Sequence, residues 1–509
     1  MKAISLPTDG WTRRSALAGA SLWALGAASG CHAAEGNGSG AAERELPTAR
    51  RPRQPVYPPV PADALTPEMF GAKGDGVTND TDAFQALAQA LTRRGGGTIA
   101  LRRTVYIVGR QERVVAANAG YGFAPSPLLD FVGLRGPLTI LGNGGTLRCQ
   151  PGLRFGTFDA ASGRATRNPM PYINPAQRAS PYEYMIRAER CTGAVRISDL
   201  ELDGNIGKLQ IGGPYGDTGI QIAASGIFLR DNRGDEILTN IHSHHHPQDG
   251  IIIDGLDDPA LARRVTRRVE RVTCEYNGRQ GCSLVGGRGW VFGRSAFNHT
   301  GRAVLSSAPA AGFDIEAEGG KTCRNIAFVE CEFSDNTGCG LVADSGDSAH
   351  VSFDRCRFIG TTVWSVWPFK PYFRFSRCTI VGTAVKCWGD PDERKAAQFH
   401  DCVFTDDPRL SPNGKVYRED RPDGPLADLS DSENVLFNRC RMNGVAGAVL
   451  PWSTRAIYQD CVMRQSMQST GYPRGQYRGR NTIEGRVDLY NSRFDGGTLI
   501  YNGQPYPPR

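Results

Sequence analysis

Residues 312–344 read GFDIEAEGGKTCRNIAFVECEFSDNTGCGLVAD. Inside them stands Val329-Glu330-Cys331-Glu332-Phe333, with an apolar residue, Cys and an aromatic residue at alternate positions. The same unit returns as Val272-Thr273-Cys274-Glu275-Tyr276, Arg355-Cys356-Arg357-Phe358, Arg377-Cys378-Thr379-Ile380, Asp401-Cys402-Val403-Phe404, Arg439-Cys440-Arg441-Met442 and Asp460-Cys461-Val462-Met463. Ser243, Ser295 and Ser492 fill the Cys slot of further copies, and Leu200 that of the earliest. From Ser243 onward the copies lie 21 to 38 residues apart, several of them at 21 to 25. A period of that length marks a solenoid with one coil per repeat. Alternation along a strand places the Cys and the aromatic residue on one face. Coils stacked about 4.8 Å apart then build an interior Cys ladder and an aromatic ladder.

The rest of the composition agrees. The 509 residues include 62 Gly, and 40% are hydrophobic, enough for a long core with many turns. The chain is expected to be all-β, a parallel β-helix over residues 64–505. Fourteen Cys in an exported chain would suggest disulfides. The repeat assigns seven of them to the core instead, as small hydrophobes, and the Cys-x-x-Cys spacing of a metal site is absent. The net charge of +7 fits either an acidic partner, such as a uronic-acid polysaccharide, or a slightly basic solvated surface. Without a zinc finger, an RNA-binding signature or a basic helix, nucleic acid is not an expected partner.

Each repeat carries a second strand that starts at a glycine: Gly250-Ile251-Ile252-Ile253-Asp254, Gly281-Cys282-Ser283-Leu284-Val285, Gly312-Phe313-Asp314-Ile315-Glu316 and Gly340-Leu341-Val342-Ala343-Asp344. The first and third residues after the glycine are apolar and point in; the second and fourth point out. If the glycines start the same strand of consecutive coils, Glu316 and Asp344 are neighbours about 5 Å apart, with Asp314 about 7 Å along the strand. Asp254 falls about two rungs from Glu316, near 10 Å. Two carboxylates that close drive one pKa up, which gives one acid and one base. Glycoside hydrolysis needs that division. The competing readings are a calcium site, or acids neutralised by Arg279, Arg302 or Lys321.

Half of the eight His lie in His242-Ser243-His244-His245-His246-Pro247-Gln248-Asp249. With Ser243 in the Cys slot, His245 is expected to face inward, His242 and His244 outward, and His246 to sit at the turn. His246 is then either a turn residue or, with Asp249, a proton-transfer pair beside the acids or a metal ligand. Gln248, Asp249, Arg279 and Gln280 come from adjacent turns and can line one groove, where Arg279 can bind a substrate carboxylate. Trp364 and Trp367 follow one coil after Asp344, either as packing or as platforms for a sugar face.

Residues 1–34 read as a targeting segment: Thr12-Arg13-Arg14-Ser15 opens an Ala-rich apolar run ending near Cys31, similar to a twin-arginine export signal. Ala28-Ser29-Gly30-Cys31 is similar to a lipoprotein cleavage box, which would make Cys31 a lipidation site and a lipid anchor the one link to a membrane. Residues 35–63 read as a Pro/Gly-rich linker. Residues 151–190 and 406–433 read as insertions of the kind that wall a cleft.

The segment Phe70-Gly71-Ala72-Lys73-Gly74-Asp75-Gly76-Val77-Thr78-Asn79-Asp80-Thr81-Asp82 runs into an amphipathic helix with Phe84, Leu87, Ala88 and Leu91 on one side. It resembles the opening of the pectate-lyase superfamily of right-handed parallel β-helices, where it forms the N-terminal cap. That resemblance implies the fold; the reaction varies across the superfamily, from lyases to hydrolases, epimerases and tailspikes. Gly312-Phe313-Asp314 followed by Gly340-Leu341-Val342-Ala343-Asp344 is also similar to the active region of bacterial mannuronan C5-epimerases. Asp314 and Asp344 match its acids, while Ile315, Glu316 and Ala317 stand where that family has a His.

The expectation is therefore an exported enzyme that cleaves glycosidic bonds of a polysaccharide by hydrolysis. Glu316 and Asp344 form its acid/base pair, with Asp314, Asp254 and His246 in support. Arg279, Gln280, Asp249, Trp364 and Trp367 bind substrate. No cofactor is expected, except calcium if the chain is a lyase. The alternatives are a polysaccharide lyase or uronate epimerase, and a non-catalytic glycan-binding β-helix.

Overall fold

The computed structural model describes residues 57, 59–114, 120–166, 174–213, 222–419, 423–494 and 496–506. The segment read as an export signal, Cys31 and most of the segment read as a linker lie outside the described residues.

From Gly97 on, the chain winds as a parallel β-helix, each strand pairing in parallel with its counterpart one coil earlier and one coil later. The ladders form three faces. The first holds Arg267–Glu270, Trp290–Gly293 and the first parts of longer strands such as Glu236–His244. The second holds Thr273–Glu275, Ala296–Asn298 and Glu332–Ser334. The third holds Asp249–Asp254, Gln280–Arg288, Ala311–Ile315, Leu341–Ala343 and Val366–Pro368.

A residue in the left-handed region makes the corner between the first and second faces in every coil. Glu330, Arg355, Arg377, Asp401, Arg439 and Asp460 all have φ between 52° and 57°. L-residues adopt that conformation reluctantly, and the residue after each corner accounts for its tolerance here. That residue turns into the core, and in six successive coils it is Cys331, Cys356, Cys378, Cys402, Cys440 and Cys461, all buried and free. Each thiol sits within 3.3–3.6 Å of a carbonyl of the preceding coil, from Phe292, Phe328, Phe353, Phe375, Phe399 and Phe437 in turn. A small apolar group with a weak donor fits the inside of this corner. Those same phenylalanines stack up the axis, with centroids 4.8 Å apart for Phe292–Phe328, 4.9 Å for Phe328–Phe353 and 4.6 Å for Phe353–Phe375.

The early copies of the repeat are set differently from expectation. Cys274 pairs with Phe297 and with Ser243, so both belong to the aromatic column, two residues past the Cys column. The corner slot there holds Ile241 and Val272; Leu200 takes that slot as expected, but pairs with Ile241 rather than with Ser243. As a result His245 does not point into the core: it lies past its strand with φ 54°, stacked on Tyr276. After Cys461 the column continues in Asn481, whose neighbour Thr482 pairs with Val462, rather than in Ser492.

The helix Thr81–Arg94 buries Phe84, Leu87, Ala88 and Leu91 against the first coils. Asp80 holds the N-cap position, but its carboxylate instead accepts from the Lys73 and Gly74 amides, and Asn79 Oδ1 accepts from the Thr81 amide. The insertion after residue 151 contributes strands Arg154–Thr157 and Arg178–Ala179 to a five-stranded side sheet.

Candidate active site

The third face carries the site, and a glycine column sets its start. A Cβ on Gly226, Gly250, Gly281, Gly312 or Gly340 would come under 3.0 Å from the carbonyl oxygen of Gly250, Gly281, Gly312, Gly340 or Ser365 respectively, one coil on. Backbones approach that closely only without a side chain. The register follows the glycines: Ile251 pairs with Cys282, Cys282 with Phe313, and Phe313 with Leu341. These side chains are fully buried. Ser283 pairs with Asp314, Asp314 with Val342 and Val342 with Trp367, forming an outer row beside them. Past the ends of these strands, Glu316 lies close enough to Asp344 for its charge to act on that carboxyl.

The outer row is itself covered. Asp314 is only 5% exposed and Asp249 is wholly buried. Asp249 accepts both Nε and an Nη of Arg279 at 2.9 Å, and the Ser283 hydroxyl at 2.8 Å. Gln280 Nε2 donates to Asp314 Oδ2 at 2.8 Å. Among the described residues Asp314 Oδ1 and Gln280 Oε1 have no hydrogen-bond partner. The Ser345 hydroxyl donates to Glu316 at 2.7 Å. Asp249, Arg279, Gln280, Ser283, Asp314, Glu316 and Asp344 thus occupy one stripe over four coils.

Burial pushes the Asp314 carboxyl well above the usual carboxylate range; the charge of Glu316 adds to this and Arg279 opposes it. Asp344 is raised by burial and by Glu316. Arg279 works against its own burial but is held charged by Asp249, with Asp314 and Glu316 adding. Lys370 lies near Asp344, and burial lowers its pKa against the pull of Asp344. The stripe therefore holds two carboxyls raised above their ordinary range, Asp314 and Asp344, with Glu316, Arg279 and Lys370 within interaction range. Sequence reasoning ranked Asp314 as a helper to Glu316 and Asp344, because strand alternation shows direction but not depth of burial. It missed Ser283, whose outward place two residues after Gly281 was the signal, and Ser345 and Lys370, for which nothing in the repeat pattern gave one.

Two expected members sit elsewhere. A bulge between Ile253 and Asp254 sets Asp254 against Gly286 rather than Val285, and Asp254 is held by Arg230 at 3.1 Å and Lys321 at 2.5 Å. His246 is fully buried; its Nδ1 lies 2.8 Å from the Tyr182 hydroxyl and its backbone amide donates to Asn277. Burial, and then His244 and His245, lower its pKa well below the ordinary value. It faces the core and forms no pair with Asp249. Arg302 is spent on Asp335 at 2.9 Å, away from the stripe.

Trp364 and Trp367 meet edge to face at 5.2 Å and pack with Val363 over Ala311, Cys339 and Val342. The Trp364 indole donates to Glu419, which anchors the loop that begins after Thr405. Among the described residues, Asp314, Glu316 and Asp344 do not form a group whose ligand atoms all lie within 4.8 Å of one another. Two cavities open further along the third face. One, of 870 Å³, is lined by Arg110, Asp130 and Gln85; the other, of 660 Å³, by Trp452, Tyr472, Arg474 and Asp423.

No protein-family model matches the chain. A capsule KN3-specific depolymerase of Klebsiella phage KN3-1 is 56% identical over 44 residues, which are 8% of this chain and 6% of that protein. Among solved structures, the A-module of a mannuronan C-5 epimerase of Azotobacter vinelandii is 15% identical, covering 85% of this chain and 99% of that one, with a TM-score of 0.42. The N-terminal fragment of bacteriophage Phi29 gene product 12 is 13% identical over 87% of this chain and 73% of that one, at 0.48. An exopolygalacturonase from Thermotoga maritima is 12% identical over 89% and 94%, at 0.28.

Proposed function

We propose that this chain is an exported enzyme that cleaves glycosidic bonds of a polysaccharide by hydrolysis, with Asp314 as the general acid. The observation that carries this reading is the stripe itself: a buried Asp314, its carboxyl pushed up by burial and by Glu316, with Asp344 on the next coil. A carboxylic acid kept protonated by its surroundings can give its proton to a leaving glycosidic oxygen. Glu316 and Asp344 supply the second carboxylate, which activates water or attacks the sugar. Gln280 orients Asp314, and the Arg279–Asp249–Ser283 cluster fixes the strand edge on which both stand. Trp364 and Trp367 are proposed to wall the groove.

Arg279 and Lys370 support a second reading, β-elimination or epimerisation of a uronate. In that reaction Arg279 neutralises the substrate carboxylate and Lys370, whose burial lowers its pKa, takes the ring proton. The basic net charge favours an acidic substrate in either case. The deciding experiment is a polysaccharide panel assayed at once for new reducing ends and for the ultraviolet absorbance of an unsaturated uronate. Reducing ends without unsaturation are expected. Unsaturated products would assign the elimination reading, and glycan binding with neither signal would make the chain a binding module.

A further inference from the structure

The second face carries a separate polar cluster. On its outer side Glu201 pairs with His242, and Asp203 with His244, one coil on; His242 pairs in turn with Thr273, and His244 with Glu275. Side chains two apart on a strand share a face. Glu201, His242 and His244 each offer one ligand atom within 4.8 Å of the others. His244 is buried, its Nε2 3.1 Å from Glu201 Oε1.

The cluster is also supported from behind. The second oxygen of Glu201 accepts from the Thr146 hydroxyl at 2.7 Å. His242 Nε2 lies 2.8 Å from Glu275, which leaves its other ring nitrogen available. His244 Nδ1 lies 2.7 Å from His245 Nδ1, which leaves Nε2 aimed at Glu201. Each of the three groups is thus held by one partner, and one ligand atom from each lies within 4.8 Å of the other two. Metal-ligating imidazoles and carboxylates are held in this way, one atom on the ion and the other on an orienting neighbour. Structural pairing alone would not require the donors to converge.

We infer that Glu201, His242 and His244 form a binding site for a divalent transition-metal ion of the zinc class. Two imidazoles and one carboxylate suit zinc, whereas calcium and magnesium favour oxygen-only sets. Bonds of about 2.0–2.1 Å in tetrahedral geometry place donors about 3.3 Å apart, close to the Glu201–His244 separation. Three protein ligands leave a fourth position for water or for a group of a ligand. Asp203, 3.8 Å from His244 Nδ1, lies on the same edge of the cluster.

The test is calorimetric titration of the full-length, untagged, chelator-stripped protein with zinc chloride, and separately with calcium chloride. Zinc is expected to bind one ion per chain, at least tenfold tighter than calcium. His244→Ala and His242→Gln should each weaken zinc binding at least tenfold, while Asp314→Asn binds as wild type. Cobalt(II) at the site should give the intense visible bands of a tetrahedral complex, absent in His242→Gln. His242 is half-exposed, so that variant carries the test even if His244→Ala does not fold. Equal zinc binding by wild type and His242→Gln, or calcium binding as tight as zinc, would overturn the assignment.

Discussion

Gln280 and Asp314 stand on adjacent coils of the third face, the Gln280 amide donating to Asp314 Oδ2 at 2.8 Å, with both residues buried. The amide holds one carboxyl oxygen, while Oδ1 has no hydrogen-bond partner among the described residues. Burial, and then the charge of Glu316, push the carboxyl well above its ordinary range. Orientation and titration are thus influenced by different neighbours.

The first consequence concerns Asp314→Asn. Asn keeps the shape of the group and removes its exchangeable proton. Turnover on the cleaved polysaccharide should fall by about 10²–10⁴-fold, the usual contribution of a positioned acid, while the midpoint of urea unfolding stays close to wild type. A variant with wild-type turnover would remove Asp314 from the mechanism.

Stability should depend on pH through the same groups. Asp314 and Asp344 are both raised in the folded state, whereas in the unfolded chain aspartates titrate near pH 4. Over the interval above that value the native state binds more protons than the unfolded one. Their contribution is therefore complete below about pH 4 and is lost as pH climbs through the raised values. Comparing urea midpoints of wild type and the Asp314→Asn/Asp344→Asn double variant from pH 4 to pH 8 isolates this loss. The wild type should weaken relative to the variant as pH rises; parallel curves would mean that both carboxyls titrate normally. Glu236, raised to about 7 mainly by burial, titrates in both proteins and cancels.

The core ladder makes a prediction of size. Phe353 stacks between Phe328 at 4.9 Å and Phe375 at 4.6 Å, with 1% exposure. Phe353→Ala removes both contacts and leaves a cavity that neighbouring coils cannot close, at a cost of about 3–5 kcal/mol. Chemical denaturation followed by tyrosine and tryptophan fluorescence measures it.

Gly312→Ala should be worse than its size suggests. The added methyl group would meet the Phe297 and Gly340 carbonyl oxygens and the Asn336 amide, all under 3.0 Å away. Two of these atoms are backbone and cannot swing aside. The variant is expected to lose soluble yield or unfold at markedly lower denaturant, whereas Gly319→Ala, with nothing within 4 Å but φ 58°, should cost only about 1 kcal/mol.

The glycine-led strands were legible because their marker is rigid: a residue that must lack Cβ recurs once per coil and fixes the register of Phe313 and Leu341. The Cys column was legible only where Cys fills it. Ser243 and Cys274 fall two residues late because Ile241 and Val272 satisfy the same corner without a thiol. The better marker was the residue before the slot, since Asp199, Asn240, Arg271 and Arg294 share the left-handed conformation of Glu330 and Arg355. The displacement of Asp254 had a signal too, in Gly286-Gly287, since glycines inside a strand accompany bulges. The depth of Asp314 had none. Burial of that row involves non-local contacts, such as the packing of Trp364 and Trp367 on its neighbour Val342, which periodicity does not encode.

The bulge that moves Asp254 also divides the third face electrostatically. Before it, Glu189, Arg230 and Asp254 face one another coil by coil, and Lys321 closes the series. Signs alternate there and cancel locally. Beyond it, Glu316 and Asp344 follow as two acids in succession. A polymer lying along the axis would cross a self-compensated track and then a field that changes within a single coil, so its sugar units would not be equivalent. Binding would acquire a direction, set by a one-residue slip between the strands Asp249–Asp254 and Gln280–Arg288.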